Sequence, residues 1–285
     1  FQSANNRPLG DIPNSMTIHG SLGFISVNNS GTIEIVGIND FVSVSTITGL
    51  SSPRYVEIID DQKAYVTDLA EAGITIIDLG SYTVTGEIYT GKSTENIVKY
   101  NNKVFVTNWS NYYVPAENNT IQVIDTETDQ LIDSLVLTKE PNSMVMDKNN
   151  KLWVLCSGGY FGDEDPALFR INPDPLSVEQ KFTFPDINTN PGNLSINSTG
   201  DTLYYLLNGV FQMSVEASNL PGQQIIEEGN KSFYKLSVDP FSSMIYTSDA
   251  IDFQQSGYVY TYKSNGEFVK EIQAGIIPGN FCFVD

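Results

Sequence analysis

Pro53-Arg54-Tyr55-Val56-Glu57-Ile58-Ile59-Asp60-Asp61-Gln62-Lys63-Ala64-Tyr65-Val66-Thr67-Asp68, continued by Gly73-Ile74-Thr75-Ile76-Ile77-Asp78-Leu79 and by residues 83–89, decides the fold. Short runs rich in Val, Ile, Tyr and Thr, separated by turn residues such as Asp60-Asp61-Gln62, read as strands. Four are expected: Tyr55–Ile59, Lys63–Asp68, Gly73–Leu79 and Thr83–Tyr89. None carries the period of three to four that a helix shows.

Working outward, the same order recurs. Units begin at Pro13-Asn14-Ser15, Pro53-Arg54-Tyr55, Thr94-Glu95-Asn96, Pro141-Asn142-Ser143, Pro191-Gly192-Asn193, Lys231-Ser232-Phe233 and Pro278-Gly279-Asn280. Repeats of roughly 40 to 50 residues, each holding four short strands, are the signature of a β-propeller. The physical reason is burial: a lone four-stranded sheet has two faces to cover, and stacking blade on blade covers both. The first and middle runs are apolar on both faces, as sandwiched sheets require. Turns such as Asp147-Lys148-Asn149-Asn150, Asn197-Ser198-Thr199-Gly200 and Ser264-Asn265-Gly266 suit the hairpins between them.

Six complete units run from residue 13 to about residue 275, and Asn280–Asp285 reads as the first strand of a seventh. Propeller rings are commonly closed by strands from both termini. The expectation is therefore a single domain over 1–285, a seven-bladed propeller with the last blade incomplete in this chain. A six-bladed ring would leave the C-terminal run without a blade.

Composition excludes several functions. The chain is 40% hydrophobic and 17% charged, so it is not disordered. Fifteen Lys+Arg face 34 Asp+Glu, a formal net charge of −19, which repels nucleic acid and anionic membranes. No run of about 18 apolar residues is present to span a bilayer. The opening Phe1-Gln2-Ser3-Ala4-Asn5-Asn6 has neither the basic start nor the apolar core of a signal peptide. The one histidine, His19, cannot build a multi-histidine metal site, and Cys156 and Cys282 have no metal or redox spacing. No GxSxG, HExxH or P-loop occurs. Asp163-Glu164-Asp165 lacks EF-hand spacing and reads as a solvated loop. No catalytic residue, metal or cofactor is expected.

Function is expected on the loops between the second and third strands and between blades. Residues 108–119, 157–166 and 249–256 are long for such loops and place Trp109, Tyr112, Tyr113, Tyr160, Phe161 and Phe253 on one side of the blades. Asn28, Arg54, Asp68, Asn108, Asp249 and Gln254 lie in the same set of loops. Rings give contact area and amides give direction, which suits a bulky small-molecule ligand of little charge. The same residues also suit a protein interface, or packing of the long loops on themselves.

The repeat phase, Tyr65-Val66-Thr67-Asp68 and the blade end Ile124-Asp125-Thr126-Glu127-Thr128-Asp129 resemble YVTN-type propellers over nearly the whole chain. Asn28-Asn29-Ser30, Ser52-Pro53-Arg54-Tyr55, Asp249-Ala250-Ile251-Asp252-Phe253-Gln254-Gln255 and Gly275-Ile276-Ile277-Pro278-Gly279 resemble the surface-layer-like propeller lipoproteins of gut Bacteroidetes. That resemblance implies a cell-surface or periplasmic protein of a Gram-negative bacterium, held to the membrane only by a lipid anchor that this chain does not carry. In one branch it implies capture of cobalamin or a related corrinoid for an outer-membrane transporter. The alternatives are a scaffold in a nutrient-uptake complex and a calcium- or quinone-dependent propeller enzyme.

Overall fold

The computed structural model describes residues 1–110 and 116–284. The chain divides into two compact units, Phe1–Leu137 and Thr138–Asp285. The first holds three antiparallel four-stranded sheets and the second another three, each with its strands in sequence order. The fold is an all-β propeller of four-stranded blades. Blade two matches its sequence reading closely: Pro53–Ile58, Lys63–Asp68, Gly73–Asp78 and Thr83–Tyr89.

Local chemistry explains these meanders. Asp60 accepts the backbone N–H groups of Gln62 and Lys63 at 2.8 Å each, closing the first hairpin of blade two. The Asp-x-x-Ser/Thr blade ends close the last hairpin. Asp78 accepts from Ser81 and Asp125 from Thr128, and these bonds hold both carboxyls below the usual carboxylate range. Side chains of β-branched and aromatic type then stack between blades. In the first unit Phe24, Ile33 and Ile35 of blade one meet Val56, Ala64 and Val66 of blade two. In the second, Trp153, Leu155 and Leu168 of blade four meet Leu203, Tyr205 and Met213 of blade five. Each fully buried aliphatic or aromatic side chain contributes about 1.5–3 kcal/mol.

First strands are sheet edges and would expose unpaired backbone groups. Neighbouring blades supply partners for them. Ser15 Oγ donates to the Arg54 carbonyl at 2.5 Å and Thr17 Oγ1 to that of Val56 at 2.7 Å. In the second unit Ser143 Oγ accepts the N–H of Leu194 and Ser195 Oγ that of Val238, both at 2.9 Å.

The expected count of seven blades is corrected to six among the described residues. Residues 278–284 form no strand. Phe281 and Phe283 lie instead with their rings 5.8 and 5.2 Å from that of Tyr246, on the second strand of blade six. Residues 1–12 add no strand to any blade. Gln2–Asn5 makes a single helical turn, and Phe1 and Leu9 pack on Ile25, Val27 and Val36 of blade one. The alternation Phe281-Cys282-Phe283 mimics a strand because a strap covering a sheet face also places every second side chain inward.

Candidate functional site

Polar residues at the ends of second strands work inward. Asn28 donates to Ser52 Oγ at 2.6 Å. Asp68, 1% exposed, accepts the N–H groups of Ser52 and Ala70 at 2.8 and 2.9 Å. Burial pushes its carboxyl above the usual range despite these bonds. Asn108, fully buried, donates to the Ser93 carbonyl and to Gln122 Oε1, and accepts from Thr120 Oγ1. Asp249 accepts the Ile251 N–H at 2.8 Å. These four side chains hold loops in place, and their bonds are made within the protein.

Among the described loop residues of the first unit, Arg54, Glu95 and Trp109 form one group. Arg54 forms a two-pronged pair with Glu95, Nε–Oε2 2.6 Å and Nη2–Oε1 2.7 Å, with side chains 13% and 5% exposed. The Trp109 ring centroid lies 5.8 Å from the guanidinium carbon, and Ser93 Oγ donates to the Trp109 carbonyl. The half-buried indole therefore rests on a guanidinium that Glu95 fixes in place. Tyr112 and Tyr113 lie outside the described residues.

The second unit presents two more. Tyr160 and Phe161 are each 86% exposed and meet edge to face, 5.0 Å apart at 88°. Their loop depends on glycine. Gly158 has φ +85°, and a Cβ there would sit 2.2 Å from the Glu164 carbonyl oxygen. The Glu164 N–H donates back to the Gly158 carbonyl at 2.9 Å, and Glu164 Oε2 accepts the Lys139 N–H at 3.1 Å. Lys139 Nζ lies 3.5 Å from Asp163. The acidic run is thereby tied to the loop's own closure, and among the described residues no group of three or more His, Cys, Asp or Glu is placed to hold a metal. In blade six, Phe253 is half exposed, has φ +62° and meets Tyr234 edge to face at 5.4 Å. A phenylalanine held left-handed is strained, and its neighbours must over-determine it. Ile251 shares that sign of φ, at +52°. Asp252 Oδ1 accepts the Gln254 N–H at 3.0 Å, and Gln254 itself is exposed.

The sequence reading missed Glu95 and Tyr234. Both sit where units begin, and their strand-like context hid them. The carboxylate immediately following Thr94 was the only signal for an Arg54 partner.

Fold and loops define the class: a β-propeller with exposed aromatic loops on a self-satisfied polar frame. The family model described as a domain of unknown function, DUF5074, matches residues 22–281, and the chain belongs to that family. No curated protein matches the sequence. Several solved structures are similar in fold. A quinonprotein alcohol dehydrogenase-like protein from Bacteroides thetaiotaomicron aligns at TM-score 0.74 and 16% identity, over 95% of this chain and 69% of that one. Hydrazine synthase from Kuenenia stuttgartiensis aligns at 0.70 and 14%, over 89% and 77%. Virginiamycin B lyase from Staphylococcus aureus aligns at 0.69 and 13%, over 91% and 83%. At such identities the likeness is one of fold.

Proposed function

We propose that this chain is a non-catalytic, extracytoplasmic binding propeller that captures a bulky, weakly charged ligand on its aromatic loops, and that the ligand is cobalamin or a related corrinoid. The observation that carries the reading is the Tyr160–Phe161 pair. Two large rings, almost wholly in solvent, stand on a loop whose path is set by Gly158 and by bonds to Glu164. Exposed rings on a pre-shaped loop bury area on binding while little further freedom is lost. A corrin offers a broad flat ring edged by amides, suited to such rings. The −19 charge disfavours an anionic ligand. The resemblance to surface propeller lipoproteins supports a cell-surface location and an outer-membrane transporter as the receiving partner.

Calorimetric titration with cyanocobalamin and with cobinamide tests this. Saturable one-to-one binding is expected, lost in the Tyr160→Ala/Phe161→Ala double variant. At a hundredfold excess of ligand over Kd the folded state gains about 2.7 kcal/mol, so melting should shift upward. Absence of both heat and shift refutes the corrinoid reading. Co-purification of a protein partner through the same two rings would then assign them to an interface.

A further inference from the structure

The fourth strands are of unequal length. They cover Ser43–Ile47, Thr83–Tyr89, Gln130–Val136, Leu176–Thr183 and Phe268–Ile276, but in blade five only Ile226–Glu227. Residues 215–225, interrupted by Pro221-Gly222, take the place of a full outer strand. Between blades four and five the outer strand reaches across, and Phe182 joins the core with Tyr205 and Met213. Between blades five and six the short strand leaves a cleft of about 410 Å³. Gly266 brings the last hairpin of blade six close beneath it, since a Cβ at that position would lie 2.4 Å from the Ile225 carbonyl oxygen.

Tyr260, Tyr262 and Phe268 line this cleft, together with Lys231, Glu227 and Glu271. Phe268 is half exposed and meets Tyr262 edge to face at 5.7 Å and 70°, which leaves a flat apolar face open. Lys231 Nζ stands 5.2 Å from the Tyr260 ring centroid. Among the described residues, neither Lys231, Glu227 nor Glu271 makes an ion pair, although all three line one cleft. Both signs of charge thus line the cleft beside an aromatic wall, with Lys231 held over the Tyr260 ring.

We propose that this cleft is a second ligand site, separate from the aromatic loops, and that it takes a neutral saccharide. Sugar hydroxyls donate to carboxylates and accept from an ammonium, so one uncharged ligand satisfies both signs at once. The C–H face of a pyranose ring packs on an aromatic face such as that of Phe268. The volume lies in the range of small-molecule sites and suits one or two sugar rings. A ligand of single charge would meet repulsion from one side of the cleft.

Saturation-transfer NMR on the whole chain, with maltotriose, cellotriose and mannotriose as probes and spermidine and betaine as charged controls, tests the proposal. At least one trisaccharide is expected to receive saturation on its ring C–H protons. Phe268→Ala should weaken that binding about tenfold, as removal of an aromatic platform does. Glu271→Gln should weaken it as well, and Tyr160→Ala/Phe161→Ala should leave it unchanged. The proposal is overturned if no trisaccharide binds, if a charged control displaces it from the cleft, or if Phe268→Ala binds like the parent at unchanged melting temperature.

Discussion

Glu57→Gln should stabilise this protein, and the gain should depend on pH in a defined way. Glu57 lies on the first strand of blade two and accepts the backbone N–H of Lys99 from the first strand of blade three. Burial is the larger influence on its carboxyl. The Lys99 charge and N–H pull the other way, and the pKa rises from 4.5 to about 7. The Lys99 ammonium itself donates to the Ile59 carbonyl. A raised carboxyl pKa means that the folded state holds a proton which the unfolded state has released. Stability from this group is therefore complete below pH 4.5, declines as pH rises, and is gone above about 7. At about 1.4 kcal/mol per pH unit, the difference corresponds to about 3 kcal/mol as a ceiling. Glutamine keeps the size and the acceptor oxygen but carries no charge. With an unfolding entropy of about 2.1 cal/mol/K per residue, the melting temperature should rise on the order of 5 °C at pH 8. At pH 4.5 the two proteins should melt closer together. Scanning calorimetry of both at pH 4.5, 6 and 8 checks this. A difference that does not change with pH, or a glutamine variant less stable at pH 8, refutes the assignment of burial as the dominant influence.

Other perturbations have equally direct readouts. Arg54→Met leaves the buried Glu95 carboxylate without its two-pronged partner and should cost about 3–5 kcal/mol in denaturant unfolding. Adding Glu95→Gln should recover much of that loss, and a double-mutant cycle measures the coupling. Trp153→Phe removes the 2.9 Å bond from the indole N–H to Asp147 while leaving the ring stacked on Phe182, so about 1–3 kcal/mol should be lost. Gly158→Ala forces a side chain into a left-handed site against the Glu164 carbonyl. Corrinoid binding should fall at least about tenfold, with more rapid amide exchange confined to residues 157–166.

The strands were legible because their causes are local. Lys63-Ala64-Tyr65-Val66-Thr67-Asp68 is β-branched or aromatic at its centre, begins after an Asp60 turn and ends on a residue that stops the ladder. Sequence and structure give it the same bounds. The number of blades was not legible, because a strand is defined by its partner and the partner is distant in sequence. Phe281 and Phe283 alternate as a strand would, yet what they meet is the face of Tyr246. The short fourth strand of blade five escaped notice for a related reason. Residues 215–225 break the pattern, but only the neighbouring blade shows that the break leaves a cleft.

The aromatic loops divide along the same line between local and distant causes. Tyr160 and Phe161 follow two glycines with φ of +85° and +103°, which no neighbouring apolar run could draw into a core, and their exposure follows from that local fact. The amides and carboxylates are different. Whether Asn108 faces a ligand or the protein depends on Ser93, Thr120 and Gln122, between 12 and 15 residues away along the chain. All three turn it inward, and Asp68 is turned inward by Ser51, Ser52 and Ala70. Composition places amides beside rings, but the hydrogen-bond network decides which remain free to meet a ligand. Here the Gln254 amide is exposed while the predicted asparagines are committed, so specificity on these loops rests chiefly on ring area and on the backbone that carries it. A ligand recognised this way is selected by shape more than by any single hydrogen bond. Single amide substitutions should therefore perturb loop stability before they perturb affinity.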